Sequence, residues 1–147
     1  MIRTKDYIRC ENVLSSRCAF HYSEMRKQIE KFLFEVEKTG ARKKGPFMYA
    51  LTNIPYDEVV NIEFFMPIYE EKISCQELQF HTYYSVEQML STYVFDNYEN
   101  QMEMAYSALI EFMKQYQLEA VTPIYHVVDK EQRYIKVMIG YKNILQE

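Results

Sequence analysis

Pro123 stands 77 positions after Pro46, and the octapeptides around the two prolines line up. Gly45-Pro46-Phe47-Met48-Tyr49-Ala50-Leu51-Thr52 meets Thr122-Pro123-Ile124-Tyr125-His126-Val127-Val128-Asp129. The offset of 77 also sets Met25 on Met102, Phe32 on Leu109, Leu33 on Ile110 and Val36 on Met113. It sets Tyr7 on Tyr84 and Val13 on Leu90. Ile62–Pro67 and Ile135–Gly140 match at an offset of 73, because the second half has a shorter turn. One spacing running through a helix, a loop and a strand predicts an internal repeat, which restricts the fold more than composition does.

The elements fit that repeat. Met25, Ile29, Phe32, Leu33 and Val36 form one apolar helical stripe between Ser23 and Gly40, and glycine suits the left-handed residue that closes a helix. A second stripe (Tyr98, Met102, Ala105, Leu109, Phe112, Met113, Tyr116) follows Asp96, with Glu99 completing a capping box. Strands are predicted over Tyr7–Phe20, Phe47–Asn53, Val59–Tyr69, Leu78–Tyr93, Val121–Val128 and Tyr134–Lys142, with a turn at Asn53–Asp57. Strand, helix, strand, strand therefore occurs twice. The expected fold is α+β: one domain over residues 1–147, built of duplicated βαββ units, about 1–72 and 73–147. An antiparallel sheet would carry two helices on one side and a central cleft at a pseudo-twofold axis.

The hydrophobic share of 48% and charged share of 26% are ordinary for a globular chain and argue against disorder. The net charge of −4 gives no overall basic balance of the kind that favours nucleic acid. Cys10, Cys18 and Cys75 are odd in number and lack CxxC spacing, so neither a disulfide framework nor a cysteine zinc site is expected. No apolar run is long enough to span a bilayer. The expectation is a cytoplasmic protein with no membrane or nucleic-acid partner and no metal or cofactor. The 14 Tyr supply rings with polar tips, suited to a half-wet pocket or an interface, or simply to strand positions.

The order of elements resembles the GyrI-like (gyrase-inhibitor-like) small-molecule-binding superfamily of bacterial effector-binding domains. The resemblance covers nearly the whole chain. Met66-Pro67-Ile68 matches the family's apolar strand ending in proline. Tyr98 matches the aromatic near a helix start, Ala105-Tyr106-Ser107-Ala108-Leu109 the long helix, and Pro123-Ile124-Tyr125-His126 the proline-led strand. The resemblance implies a small-molecule cleft, and some members of the superfamily are hydrolases of reactive small molecules. Many members carry a cleft glutamate after that proline; here the position falls at or next to His126, which implies weak binding of lipophilic cations. Regulators of the family carry a DNA-binding segment first, whereas this chain begins almost at its first strand, so a stand-alone module is expected.

The candidate cleft residues follow from strand alternation and the repeat. Ile62, Phe64, Met66 and Ile68 should lie under a helix, leaving Glu63, Phe65, Pro67 and Tyr69 on the cleft side. Lys136 and Met138 take the same side in the last strand. Glu63 and Lys136 would either meet across the axis or lie solvated. Tyr49 and His126 are repeat equivalents, read either as a ligand-contacting pair or as ordinary strand residues. The ligand-binding set is thus Tyr49, Glu63, Phe65, Tyr69, His126 and Met138, with Tyr93 and Tyr125 as weaker candidates. No HExxH, GxSxG or phosphate loop occurs, so the leading expectation is a non-catalytic module binding an apolar or aromatic molecule. Two other readings stay open: a protein-interaction module of adaptor, inhibitor or immunity type, and a small-molecule hydrolase. Arg42-Lys43-Lys44 reads as a solvated basic turn.

Overall fold

Strand, helix, strand, strand does occur twice. The computed structural model describes residues 1–52, 58–96 and 98–144. Strand β1 (Arg3–His21) leads through a short 3-10 turn into helix α1 (Met25–Lys38), then β2 (Met48–Leu51) and β3 (Val59–Pro67). Strand β4 (Gln79–Val94) leads into α2 (Tyr98–Gln115), β5 (Leu118–Val128) and β6 (Ile135–Asn143). The turn expected at Asn53–Asp57 lies outside the described residues, and so does the Glu99 side chain on which the capping box depends.

Helix α1 ends where its sequence says it should. Thr39 returns its hydroxyl to the Val36 carbonyl at 2.6 Å, and Gly40 takes φ +81°. The six strands are antiparallel and close into a barrel in the order β1-β3-β2-β5-β6-β4. The fold is α+β with two helices, as expected, but the sheet is closed rather than open. Within each half the order is the same: β1-β3-β2, then β4-β6-β5 around the ring.

Three apolar layers result. Phe32 and Val36 of α1 pack on Leu14, Phe20, Ile62, Phe64 and Met66, on the outer face of β1 and β3. Ala105, Leu109 and Met113 of α2 pack on Leu90, Val137 and Ile139. Between them, inside the barrel, lie Val13, Met48, Phe65, Met89, Tyr125 and Met138. The alternation read for β3 and β6 holds: Ile62, Phe64 and Met66 face a helix, and Phe65 and Met138 face inward.

The repeat offset needs one correction. In β2 and β5 the equivalents 77 apart are direct neighbours, with Tyr49 opposite His126. In β1 and β4 the working offset is 76. Leu14 and Leu90 both face helices, while Val13 and Met89 both face inward, so Val13 does not correspond to Leu90. Asn12 (φ +56°) and Gln88 (φ +55°), both left-handed in mid-strand, are 76 apart as well, so the two strands carry the same irregularity at the same place. Tyr7 likewise does not match Tyr84, since Tyr7 is 49% exposed and Tyr84 packs against the inner cluster.

Candidate functional site

The inner face of the barrel carries polar tips on an aromatic wall. Phe65 is fully buried, and its ring centroid lies 4.7 Å from that of Tyr84 and 6.2 Å from that of Tyr125. The two tyrosine hydroxyls bond each other at 2.6 Å. Burial pushes the Tyr84 phenol well up; the bond to Tyr125 and the nearby Glu63 carboxylate push the same way. Burial likewise raises Tyr125. Both phenols are therefore neutral donors and acceptors at any ordinary pH.

Glu63 reaches this wall from β3. Its register places it opposite Ala50 and Arg17. Arg17 pairs with it at 3.3 Å, with side chains 81% exposed for Arg17 and 16% for Glu63. The cation thus sits in water while the carboxylate sits at the mouth of the interior. An open groove of about 380 Å³ runs beside the pair, with Thr52, Asn61 and Pro123 on its walls.

Ser15 and His81 complete the inner polar set. Ser15 is fully buried, stands opposite Phe65 and bonds His81 Nε2 through its hydroxyl at 2.8 Å. The His81 ring meets Tyr84 edge-on at 5.7 Å. Sequence reading missed Ser15, His81 and Tyr84. Nothing in a strand sequence says which residues 66 positions apart will touch, and only the β1–β4 register brings them together.

Of the six expected cleft residues, the structure brings three together on the inner side: Glu63, Phe65 and Met138. The other three lie elsewhere. Tyr49 and His126 belong to the outer face, because Met48, Ala50 and Tyr125 are the inward residues of β2 and β5. Their rings stack 4.3 Å apart and 8° from parallel. His126 Nε2 lies 2.6 Å from the Tyr106 hydroxyl of α2, and Nδ1 lies 3.4 Å from the Tyr49 carbonyl. A carbonyl only accepts, so Nδ1 carries the proton and Nε2 accepts from Tyr106. Complete burial lowers the His126 pKa to about 4, and it pushes Tyr49 up to about 12. His126 is thus a neutral packing residue, and the inward neighbour on its strand is Tyr125. Tyr69 is 52% exposed beyond the end of β3, near Arg42 and Lys44.

Glu63 and Lys136 do not meet. Lys136 pairs with buried Asp6 at 2.7 Å, and Ser91 donates to the same carboxylate at 2.7 Å. Burial alone would raise Asp6, but these hydrogen bonds outweigh it and hold the carboxyl below its usual range. In the basic turn, Arg42 pairs with Glu70 and Lys43 with Glu37. Lys44 lines a second groove of about 430 Å³ with Arg9, Cys10 and Tyr83. Among the described residues no group of three or more His, Cys, Asp or Glu could hold a metal ion. No helix among them is long and apolar enough to cross a membrane.

Residues 10–143 match the family model described as Domain of unknown function (DUF5085). No curated protein matches the chain. The crystal structure of the EcmrR C-terminal domain is similar at 14% identity and TM-score 0.72, over 97% of this chain and 98% of that one. In the EcmrR–DNA complex the TM-score is 0.76 at 14% identity, over 97% of this chain, which spans only 57% of that chain. SAV2435 bound to tetraphenylphosphonium aligns at 7% identity and TM-score 0.52, over 97% and 93% of the two chains. A hydrolase from Listeria innocua aligns at 8% identity and TM-score 0.61, over 97% and 90%. At such identities the likeness is one of fold alone.

Proposed function

We propose that this chain, which belongs to the DUF5085 family, is a small-molecule-binding module that takes an apolar or aromatic ligand into its barrel. The observation that carries this reading is the inner wall of Phe65, Tyr84 and Tyr125 beside Glu63. Such a wall offers stacking area and a few fixed polar contacts, the usual make-up of a ligand site. The tetraphenylphosphonium bound by a protein of similar fold supports the same use here. The ligand leaves unchanged, as expected of an effector-binding domain. We also read the two halves as copies of one βαββ unit, supported by the shared strand order and by Tyr49 facing His126.

The expected weakness toward cations rested on His126 facing the cleft, and it does not. The carboxylate at the inner mouth is Glu63, and Arg17 already neutralises it. An organic cation would compete with Arg17 for that carboxylate. Arg17→Ala should therefore tighten binding of tetraphenylphosphonium by up to about fivefold, on the order of an exposed ion pair. Glu63→Gln in the same background should remove the gain. Calorimetric titration measures both. Unchanged affinity in Arg17→Ala would place the ligand elsewhere.

A protein-interaction module is the second reading. It is favoured by the surface cluster of Tyr93, Phe95 and Tyr134, whose rings lie 5.1 to 6.1 Å apart and of which Phe95 is 63% exposed. A thermal-shift panel separates the two. A ligand at a hundredfold excess over its Kd adds about 2.7 kcal/mol. For a chain of this size that is a rise of roughly 5–11 °C. No shift with any aromatic compound, but a shift with a co-purifying protein, would replace the ligand reading. Turnover of a bound compound would overturn both.

A further inference from the structure

Besides Glu63 and the Asp6–Ser91–Lys136 group, the inward faces of the strands hold two hydrogen-bonded pairs beside Phe65. Tyr84 with Tyr125 and Ser15 with His81 place four polar tips next to Phe65, in contacts of 2.6 and 2.8 Å. Each hydroxyl can both donate and accept, and His81 Nε2 takes whichever role the Ser15 hydroxyl leaves it. Every tip is satisfied only while its partner stays in place. A purely apolar ligand that parts either pair would leave a buried donor and a buried acceptor unmet, which costs heavily. A ligand with one hydroxyl can instead enter the pair, accepting from one member and donating to the other.

From this juxtaposition we propose that the site selects neutral aromatic alcohols, the phenols, inserting their hydroxyl into the Tyr84–Tyr125 pair with the ring against Phe65. The inference rests on the ligand-binding reading above and adds the chemical class. Ser15 and His81 act as the second polar boundary. The Ser15 hydroxyl holds the His81 ring, and that ring meets the edge of Tyr84, so the tyrosine keeps its place when its partner is drawn away. Selection of this type is strong because the penalty falls on the analogue that lacks the hydroxyl.

The test uses the intact chain and two matched probes, 2-naphthol and 2-methoxynaphthalene. They share a ring system, but the ether cannot donate. Titration followed by protein NMR should show 2-naphthol binding at least tenfold more tightly. Tyr125→Phe keeps the ring and removes one hydroxyl. It should erase most of that preference while leaving 2-methoxynaphthalene as tight or tighter. Equal affinity of the two probes in the unmodified protein would overturn the phenol selection and leave the ligand-binding reading standing. Absence of binding by either probe at millimolar concentration would overturn both. If the preference survives Tyr125→Phe, with the variant's fold confirmed by its spectrum, the hydroxyl is read elsewhere and the assignment to this pair is wrong. The first comparison needs no variant, so a misfolded Tyr125→Phe cannot rescue the proposal.

Discussion

His126 stays uncharged at neutral pH because its burial outweighs the two backbone carbonyls, of Tyr49 and Ile124, that favour a positive charge. It is fully buried, stacked on Tyr49, and its Nε2 accepts from Tyr106. Protonating Nε2 would force the Tyr106 hydroxyl to turn its hydrogen away and accept instead. The folded pKa is about 4, whereas the unfolded chain keeps the ordinary 6.5. Between these values the unfolded state binds a proton that the folded state refuses. Stability is therefore full above pH 6.5 and falls as the pH drops toward 4. The whole difference is about 3 kcal/mol. Urea unfolding at pH 7 and pH 4.5 should show the native protein losing roughly 2–3 kcal/mol more than His126→Gln, which keeps an acceptor for Tyr106 but does not titrate. Asp6 does not blur the comparison, since its carboxyl is held below the ordinary 3.8. Equal losses in the two proteins would mean that His126 titrates freely. By the same burial, His126→Glu would not create a cation site; it would bury an unpaired carboxylate under α2.

At the scale of the elements, β5 and β6 meet closely where Gly140 faces Thr122. A Cβ on Gly140 would lie 2.5 Å from Thr122 Cγ2, and Thr122 Oγ1 accepts from the Gly140 N–H at 2.8 Å. Thr122 cannot turn away without losing that bond. Gly140→Ala should cost about 1–3 kcal/mol, as overpacking does. Thr122→Ser, which deletes the clashing methyl but keeps the hydroxyl, should restore most of it. Simple additivity of the two changes in denaturant melts would sink this account. The same strands show what the sequence could and could not say. Glu63 between Ile62 and Phe64 marks the faces of β3, and Lys136 between Ile135 and Val137 marks those of β6. Met48-Tyr49-Ala50-Leu51 and Ile124-Tyr125-His126-Val127 carry no such marker, because both faces of β2 and β5 are covered, one by the barrel core and one by the helix layers. Tyr49 and His126 were therefore assignable to either face. The left-handed residues Asn12 and Gln88 were equally hidden, since neither is glycine, and with them went the register that joins Ser15 to His81.

For the whole molecule, the closure of the barrel makes each half depend on the other. β1-β3-β2 with α1 forms one three-stranded unit, and β4-β6-β5 with α2 forms the other. They join along two seams: β2 on β5, and the longer β1 on β4. Alone, the first half would open the edges of β1 and β2 and expose Val13, Met48 and Phe65 from its inner face. A unit of about 70 residues buries too small a share of its surface to tolerate that loss. The connection at Lys72–Ile73 lies outside every strand and helix, so cutting there breaks no seam. Residues 1–72 and 73–147, co-expressed as separate chains, should assemble one to one and give the NMR spectrum of the intact protein apart from signals near the cut. Expressed singly, residues 1–72 should be unfolded or should pair with a second copy, since its β1 and β2 edges already match the shape of the missing half. A folded monomer of residues 1–72 would show that the seams are not what holds the halves together, and would remove the shared interior on which the proposed ligand binding rests.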